Sequence, residues 1–325
     1  MAQYVTRNFL INTSHWVPGT NRYRYQLQGS NHIHLPQGSE ISVASISLYN
    51  YCFNVSNRMG NNQLVIVYPG FNINSINSLG IPGVLAVSSY TDPVSGYNIN
   101  SNCIIITFVD SYLDIPSFNN YLQNIFLLIK FYLTVTAADG SQSQEVFINV
   151  QTNPTQYKCQ WNIFPLTHTL AAGLSLPSGN TFVLPGLGSS CPSVYFPANN
   201  LPYGSIAQIF GFPSGIIGGG STSLSILSTT YPQVNPISTL IFQCNLVYND
   251  LCVPNNMLCQ FPIRGSYGSI MQDQLYPNFI SCLEIKTNYI EIQLFDNFLN
   301  QLQVVDPEFS ITLMIRLPRV QQTQR

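Results

Sequence analysis

Closely spaced histidines are the first residues of this sequence that could support metal chemistry. His32 and His34 are two apart, so on a strand both rings would point to the same face and could share a metal ion. Apart from Glu40, no acidic residue or cysteine lies nearby in the sequence. We therefore interpret the pair as solvated residues at a loop edge, and His15 and His168 as isolated hydrogen-bonding side chains.

Carboxylates and a glycine-rich run are the other candidates. Asp110 and Asp114 flank a predicted tight turn and could bind Ca²⁺, but the local acid density is low for a dedicated site. Glu284 and Glu291 are seven residues apart, and nothing identifies them as a catalytic pair. Residues 215–220, Gly-Ile-Ile-Gly-Gly-Gly, lack the Lys-Ser/Thr of a phosphate-binding loop and are interpreted as a flexible loop.

Nucleophile and metalloprotease motifs are absent from the sequence, which contains no G-x-S-x-G or H-E-x-x-H pattern. We therefore predict no catalytic, cofactor-binding or metal-binding residues and a protein that is not an enzyme.

Period-two alternation of apolar and polar residues, typical of half-buried strands, recurs along the chain. It is clearest at residues 309–317 and at 289–294. Further candidate strands are 40–48, 63–68, 103–109, 131–136, 145–150 and 240–247. Ala138-Asp139-Gly140-Ser141 is typical of a hairpin turn between two of them.

One helix is predicted. It starts near Pro116-Ser117 and places Phe118, Tyr121, Leu122 and Ile125 on one face, ending near residue 126. Many short strands with one helix predict an all-β fold. We expect a jelly-roll-type antiparallel β-sandwich with one short helix and long loops or a small inserted module.

The predicted domain organisation has four parts. Residues 1–30 form an N-terminal arm or peripheral strand, residues 31–320 the jelly-roll domain, and residues 321–325 a tail. A possible inserted module covers about 165–237, which is rich in Gly, Ser, Pro and Leu. Trp16, Tyr23 and Tyr25 have little apolar sequence around them, so we expect them to dock on an adjacent surface as interface residues.

Charged residues make up only 7% of the chain, against about 25% in an average soluble domain. Such a surface suits a subunit of a large assembly, because each buried charge costs desolvation energy, and it also suits a secreted adhesin or lectin. A net charge of −2 predicts no specific nucleic-acid binding. The longest apolar run, residues 125–135, is interrupted by Lys130 and too short to span a membrane.

Eight cysteines are scattered along the chain without a C-x-x-C motif. Most lie in apolar runs, and residues 1–8 carry no apolar signal-peptide core. We predict buried free thiols in a protein assembled in a reducing compartment; a disulfide framework is the alternative.

Three ordered stretches of sequence resemble penton or minor capsid proteins of virophages, Polinton-like viruses and giant-virus relatives. The first is residues 41–56 followed by Asn61-Asn62-Gln63-Leu64, with Asn50-Tyr51-Cys52 replacing an aromatic-Ser-Trp stretch. The second is residues 106–112 and 115–123, where Ser111 replaces a usual glycine. The third comprises residues 244–249, 254–258, 267–270 and 295–315. Together they cover about two-thirds of the chain and leave 160–237 weakly matched.

The resemblance implies a virion protein of an icosahedral capsid, made and assembled in the host cell cytoplasm. Its expected role is the penton, a homopentamer that closes the five-fold vertices and contacts the surrounding major capsid protein and possibly minor capsid proteins. The alternatives are a minor capsid or cement protein beneath the shell, or a carbohydrate- or receptor-binding jelly-roll module using Trp16 and tyrosine-rich loops.

Overall fold

A computed structural model describes residues 4–29, 31–250, 252–302 and 308–318. The chain divides into two compact units. The jelly-roll unit consists of Met1–Cys52 and Ile237–Arg325, and the inserted unit is the continuous segment Phe53–Pro236. The inserted unit therefore interrupts the jelly-roll unit once in the sequence.

Helices and strands are numbered in chain order through both units. The jelly-roll unit begins with β1 (Tyr4–Asn12), a 3₁₀ turn (Thr13–His15), β2 (Arg22–Gln26), β3 (Ile33–Leu35) and β4 (Glu40–Tyr49). The inserted unit begins with β5 (Gln63–Val67), α1 (Ile73–Ser78), β6 (Val84–Val87), β7 (Tyr90–Thr91), β8 (Asn98–Ile99), β9 (Cys103–Thr107) and α2 (Ile115–Leu128). It continues with β10 (Tyr132–Thr136), β11 (Gln142–Val146), β12 (Ile148–Asn153), β13 (Lys158–Ile163), β14 (Leu166–Thr167) and β15 (Leu174–Ser175).

The inserted unit ends with β16 (Ser189–Ser190), β17 (Ser193–Phe196), α3 (Ile206–Ile209), β18 (Gly215–Gly218) and β19 (Leu224–Leu227). The jelly-roll unit then resumes with β20 (Thr239–Cys244), β21 (Met257–Pro262), β22 (Ile270–Gln274), β23 (Ile280–Ser281), β24 (Ile285–Thr287), β25 (Tyr289–Asp296) and β26 (Ser310–Pro318).

Two antiparallel sheets form the sandwich of the jelly-roll unit. One has the order β1-β26-β4-β22, with β23 also paired to β4, and the other has the order β2-β25-β20-β21. β3 and β24 form a separate two-stranded sheet. Counting the eight strands of the two orders along the chain, the first sheet is first-eighth-third-sixth and the second is second-seventh-fourth-fifth. This alternation of early and late strands is the order of a jelly roll, and the inserted unit occupies the connection between its third and fourth strands. The predicted fold class is confirmed.

The core of the jelly-roll unit follows from the alternation seen in the sequence. In β26, Ile311, Leu313 and Ile315 are buried while the residues between them are partly exposed. The buried face of β25 supplies Ile290, Ile292 and Leu294. Removing these apolar faces from water stabilises the folded state, and this happens when the two sheets pack against each other around a shared core.

A β-bulge shifts the register between β4 and β26 by one residue. Leu313 pairs with Val43 and Thr312 pairs with Ser45, so Ala44 is an extra residue on β4. The bulge changes which alternate residues face inward, and as a result Ile41, Val43, Ile46 and Leu48 are all buried.

Helix α2 lies in the core of the inserted unit. The Asp114 carboxylate caps its N-terminus by accepting a hydrogen bond from the Ser117 amide at 2.8 Å, and Pro116 lies in the first turn. Of the predicted apolar face, Phe118, Leu122 and Ile125 are buried and Tyr121 is half-buried. Phe118 packs against Trp161 and Phe210. The helix runs two residues beyond its predicted end.

The domain boundaries expected from the sequence differ from the two units in the structure. The inserted unit begins at Phe53 rather than near residue 165, so the candidate strands at 63–68, 103–109 and 131–136 belong to it and not to the jelly roll. Residues 4–12 and 22–26, expected to form an arm or a peripheral strand, are edge strands of the two jelly-roll sheets. The expected tail at 321–325 lies outside the described residues.

Candidate functional site

The three aromatic residues predicted to form an interface all have contacts within their own chain. Tyr23 is buried and stacks on Phe309, with the ring centroids 3.9 Å apart. Trp16 is partly buried, and its Nε1 donates a hydrogen bond to the Thr20 carbonyl at 2.9 Å. Tyr25 is also partly buried and lies edge-on to Phe9 at 6.1 Å. Tyr23 is a core residue and is therefore not available to a partner.

The alternation of residue types along β2 is the sequence signal that could have identified Tyr23 as a buried residue. The run Arg22-Tyr23-Arg24-Tyr25 puts both arginines on one face and both tyrosines on the other. The apolar partner of that tyrosine face, Phe309, is far away in the sequence, so neighbouring residues gave no sign of it.

Strand β1 presents a free strand edge. Within the described residues it pairs with β26 only, at the end of its sheet. Tyr4 and Val5 point to opposite faces and are both exposed, and Leu10 is 54% exposed. Unpaired backbone groups beside exposed apolar side chains form a surface suited to pairing with another chain.

The opposite edge of the same sheet is β22, which pairs with β4. Ile270, its first residue, is half exposed. The sheet therefore carries an exposed apolar side chain at each of its two edges, on β1 and on β22.

Arginine side chains meet one buried carboxylate on the other sheet. The Arg24 Nε and Nη2 atoms donate to Oε2 of Glu291 at 2.9 and 2.6 Å, and Arg22 lies 3.7 Å from Oε1. Burial alone would raise the pKa of Glu291, but the hydrogen bonds from Arg24 and Gln293 and the two arginine charges hold it below its ordinary value. The cluster joins β2 to β25, because Glu291 and Arg24 are cross-strand neighbours.

A rigid turn between β7 and β8 belongs to the inserted unit. The Asp92 amide donates to the Tyr97 carbonyl, and the Gly96 amide donates to the Asp92 carbonyl, both at 2.9 Å. Gly96 has φ +70°, a backbone conformation that favours glycine. The Asp92 carboxylate closes the turn by accepting hydrogen bonds from the Val94 amide at 2.9 Å and the Ser95 hydroxyl at 2.8 Å.

The same carboxylate fixes the turn to β17. Oδ2 of Asp92 accepts hydrogen bonds from the Tyr195 hydroxyl at 2.6 Å and the Ala198 amide at 2.8 Å. Burial would raise the pKa of Asp92, which is 0% exposed, but hydrogen bonds from Ala198, Tyr195, Val94 and Ser95 lower it to about 2. The ionised carboxylate is thus fully paired inside the protein.

A cleft of about 380 Å³ opens beside this turn. Tyr97 stacks on Tyr195 with the ring centroids 5.2 Å apart and the planes 10° apart. Tyr195 is 2% exposed, whereas Tyr97 is 47% exposed. The lining residues are Ser95, Gly96, Tyr97, Tyr195, Ala198, Ser214, Gly215 and Ile216.

The remaining residues that the sequence offered for chemistry are solvent-exposed or have structural roles. His32 and His34 are exposed at β3, Asp110 accepts a hydrogen bond from the Asn57 amide, and Asp114 caps α2. The glycine-rich run predicted to be a flexible loop instead forms β18, which pairs with β17. No group of three or more His, Cys, Asp or Glu side chains within the described residues is arranged to hold a metal ion.

None of the helices in the described part of the chain is both long and apolar enough to cross a membrane.

Solved structures similar to this chain include two that align over almost its whole length. The SeMet-labelled mavirus penton protein is 10% identical with a TM-score of 0.43, and the alignment covers 98% of this chain and 100% of that chain. The Sputnik virophage structure gives 13% identity and a TM-score of 0.38, with 98% of both chains covered. No protein-family model matches the chain, and no curated protein matches it significantly. The fold is established by the strand order of the chain itself.

Proposed function

We propose that this chain is a structural protein of an icosahedral viral capsid, and specifically the penton protein that closes the five-fold vertices. It forms a homopentamer and contacts the surrounding major capsid protein in the virion. The observation that carries the proposal is the free edge of β1, which pairs only with β26 among the described residues and exposes Tyr4, Val5 and Leu10 along its length.

A closed ring requires two different complementary surfaces on each subunit, since every subunit contacts one neighbour with each. The two edges of the first jelly-roll sheet, β1 and β22, meet this requirement. In the proposed pentamer, the β1 edge of one subunit docks near the β22 edge of the next. Leu10 and Ile270 supply apolar contact area on the two sides.

Low charge density supports assembly at these surfaces. With 7% charged residues, the chain can bury surface against neighbours with few unpaired charges. The sequence stretches that resemble virophage and related capsid proteins support the same role.

The proposal is tested by placing a charge at each edge. Leu10→Lys and Ile270→Lys change exposed side chains, so each monomer should fold normally. An unpaired ammonium buried in the interface costs on the order of 3 kcal/mol, and repetition around the ring multiplies the effect. We expect native mass spectrometry to show pentamers of the original protein and mainly monomers of both variants.

Tyr248→Lys is the matched control, because Tyr248 is about as exposed but lies beyond the end of β20, outside both edge strands. It should remain pentameric. An original protein that stays monomeric at high concentration, or that forms trimers, would contradict the penton role. So would its absence from the five-fold positions in a virion reconstruction.

A further inference from the structure

The cleft beside Tyr97 has the properties of a small-molecule binding site. Its volume of about 380 Å³ lies in the range of roughly 300–1,000 Å³ that is typical of ligand pockets. It is lined by two aromatic rings, one aliphatic side chain, two serines and two glycines, together with Ala198. Apolar walls with a few polar groups are the usual composition of such a pocket.

Its aromatic wall is held in place before any ligand arrives. Tyr97 lies flat against Tyr195, and the Tyr195 hydroxyl is fixed by Asp92. Asp92 also holds the turn that carries Tyr97, so both rings depend on the same buried carboxylate. A preorganised wall loses little conformational entropy on binding, which favours affinity.

The charges in and near the cleft indicate which class of ligand it can bind. None of the described residues that line the cleft carries a charged side chain. The nearby Asp92 carboxylate is buried and already accepts hydrogen bonds from Val94, Ser95, Tyr195 and Ala198, so it offers no free pairing group to a cation. Its negative charge also disfavours an anion. The complementary ligand is therefore neutral.

The cleft combines apolar and polar groups. The half-exposed Tyr97 ring provides a flat apolar surface, and Ser214 provides a hydroxyl group that can donate or accept hydrogen bonds. The Ser95 hydroxyl already donates to Asp92 and accepts from the Tyr97 amide, so it holds the wall rather than the ligand. Gly96 and Gly215 have no side chain that would prevent a ligand from approaching their backbone. A pyranose ring has the matching construction, with a face of C–H groups and a rim of hydroxyls.

From these features we propose that the cleft binds a neutral carbohydrate, with one pyranose ring packed against the Tyr97–Tyr195 wall and its hydroxyls hydrogen-bonded to Ser214 and to the backbone at Gly96 and Gly215. The site lies wholly within the inserted unit, whereas the proposed assembly edges β1 and β22 belong to the jelly-roll unit. Glycan attachment is therefore a second function, separable from a structural role.

The test begins with the full-length protein on an array of neutral, sialylated and sulfated oligosaccharides. We expect binding to neutral members only. Saturation-transfer NMR with methyl glycosides of glucose, galactose, mannose and N-acetylglucosamine then measures single-sugar binding. One ring of about a dozen heavy atoms should give a Kd on the order of 1 mM for the preferred sugar.

Three variants assign binding to the cleft. Tyr97→Ala removes the exposed ring and should weaken binding at least tenfold, whereas Tyr97→Phe keeps the ring and should stay within about threefold. Tyr157→Ala is the matched control, because Tyr157 is 76% exposed in the same unit and does not line the cleft. Thermal unfolding of each variant verifies that the inserted unit remains folded.

Three results would overturn the carbohydrate assignment. They are no binding to any neutral glycan, equal binding by the original protein and Tyr97→Ala, and preferential binding of sialylated or sulfated glycans. Binding of a proline-rich peptide to the cleft in place of sugars would likewise replace this proposal, because tyrosine-lined grooves also accept polyproline helices.

Discussion

At the scale of single residues, Asp92 is the group whose charge matters most to the inserted unit. Its pKa, lowered to about 2, means that the folded state binds a proton less readily than the unfolded chain does. The stabilisation is therefore fully present above about pH 4 and is lost as the pH falls toward 2. The difference between the two pKa values corresponds to about 2 kcal/mol.

Asp92→Asn should destabilise the inserted unit by about 2 kcal/mol at pH 7, since an amide nitrogen cannot accept the hydrogen bonds that Oδ2 accepts. The variant should also lose most of the pH dependence of stability between pH 4 and 2. Urea denaturation at several pH values measures both effects. Asp139→Asn is the control, because Asp139 is exposed in a hairpin turn where asparagine supplies the same acceptor. Equal stability of Asp92→Asn and the original protein would contradict this account.

Burial also controls the reactivity of individual cysteine side chains. All eight cysteines are free thiols in the structure. Burial raises the pKa of Cys103 to about 11 and those of Cys159 and Cys244 to about 12, so these thiols stay protonated and poorly nucleophilic near pH 7.5.

Alkylation with iodoacetamide should therefore leave Cys103, Cys159 and Cys244 unmodified in the native protein. Under denaturing, non-reducing conditions, intact-mass measurement should show eight adducts. Six or more unreactive cysteines after denaturation would indicate a disulfide framework instead.

At the scale of elements, the bulge at Ala44 decides which face of β4 is buried. Deleting Ala44 would force either Ile41 and Val43 or Ile46 and Leu48 out of the core. Exposing two such side chains costs about 3–6 kcal/mol. We expect the deletion to unfold the jelly-roll unit at a much lower urea concentration. Ala44→Ser retains the extra residue and should change stability by less than about 1 kcal/mol; similar midpoints for both variants would contradict the role of the bulge.

Individual strands were predictable because their signal is local. Residues 309–317 and 289–294 alternate strictly, and the structure contains β26 and β25 there. The turn at 138–141 likewise joins β10 and β11, where the Asp139 side chain accepts hydrogen bonds from Ser141. In each case neighbouring residues carry all the information that the element requires.

Strand membership was not predictable, because alternation does not specify which sheet a strand joins. β5 and β9 alternate or run apolar in the same way as jelly-roll strands, yet both belong to the inserted unit. The start of that unit at Phe53 has no glycine- or proline-rich linker to mark it. The cleft was missed for the same reason, since Tyr97 and Tyr195 meet only through tertiary packing.

At the scale of the whole molecule, the jelly-roll unit is built from both ends of the chain. β1 and β26 form a continuous antiparallel ladder from Tyr4↔Pro318 to Asn12↔Ser310. Removing residues 1–30 would take away β1, β2 and the core residue Tyr23. Such a truncation would therefore disrupt both sheets of the jelly-roll unit, and single substitutions such as Leu10→Lys are the appropriate probes of assembly.

The same ladder determines the order in which the protein can fold on the ribosome. β1 leaves the ribosome before its partner β26 has been synthesised. At 5–20 residues per second, the synthesis of the chain up to β26 takes about 15–60 s. The inserted unit is continuous in the sequence, so it can fold completely while strands β1 to β4 are still without their partners. Nascent chains therefore pass through a period in which a folded inserted unit is attached to an unpaired, aggregation-prone segment.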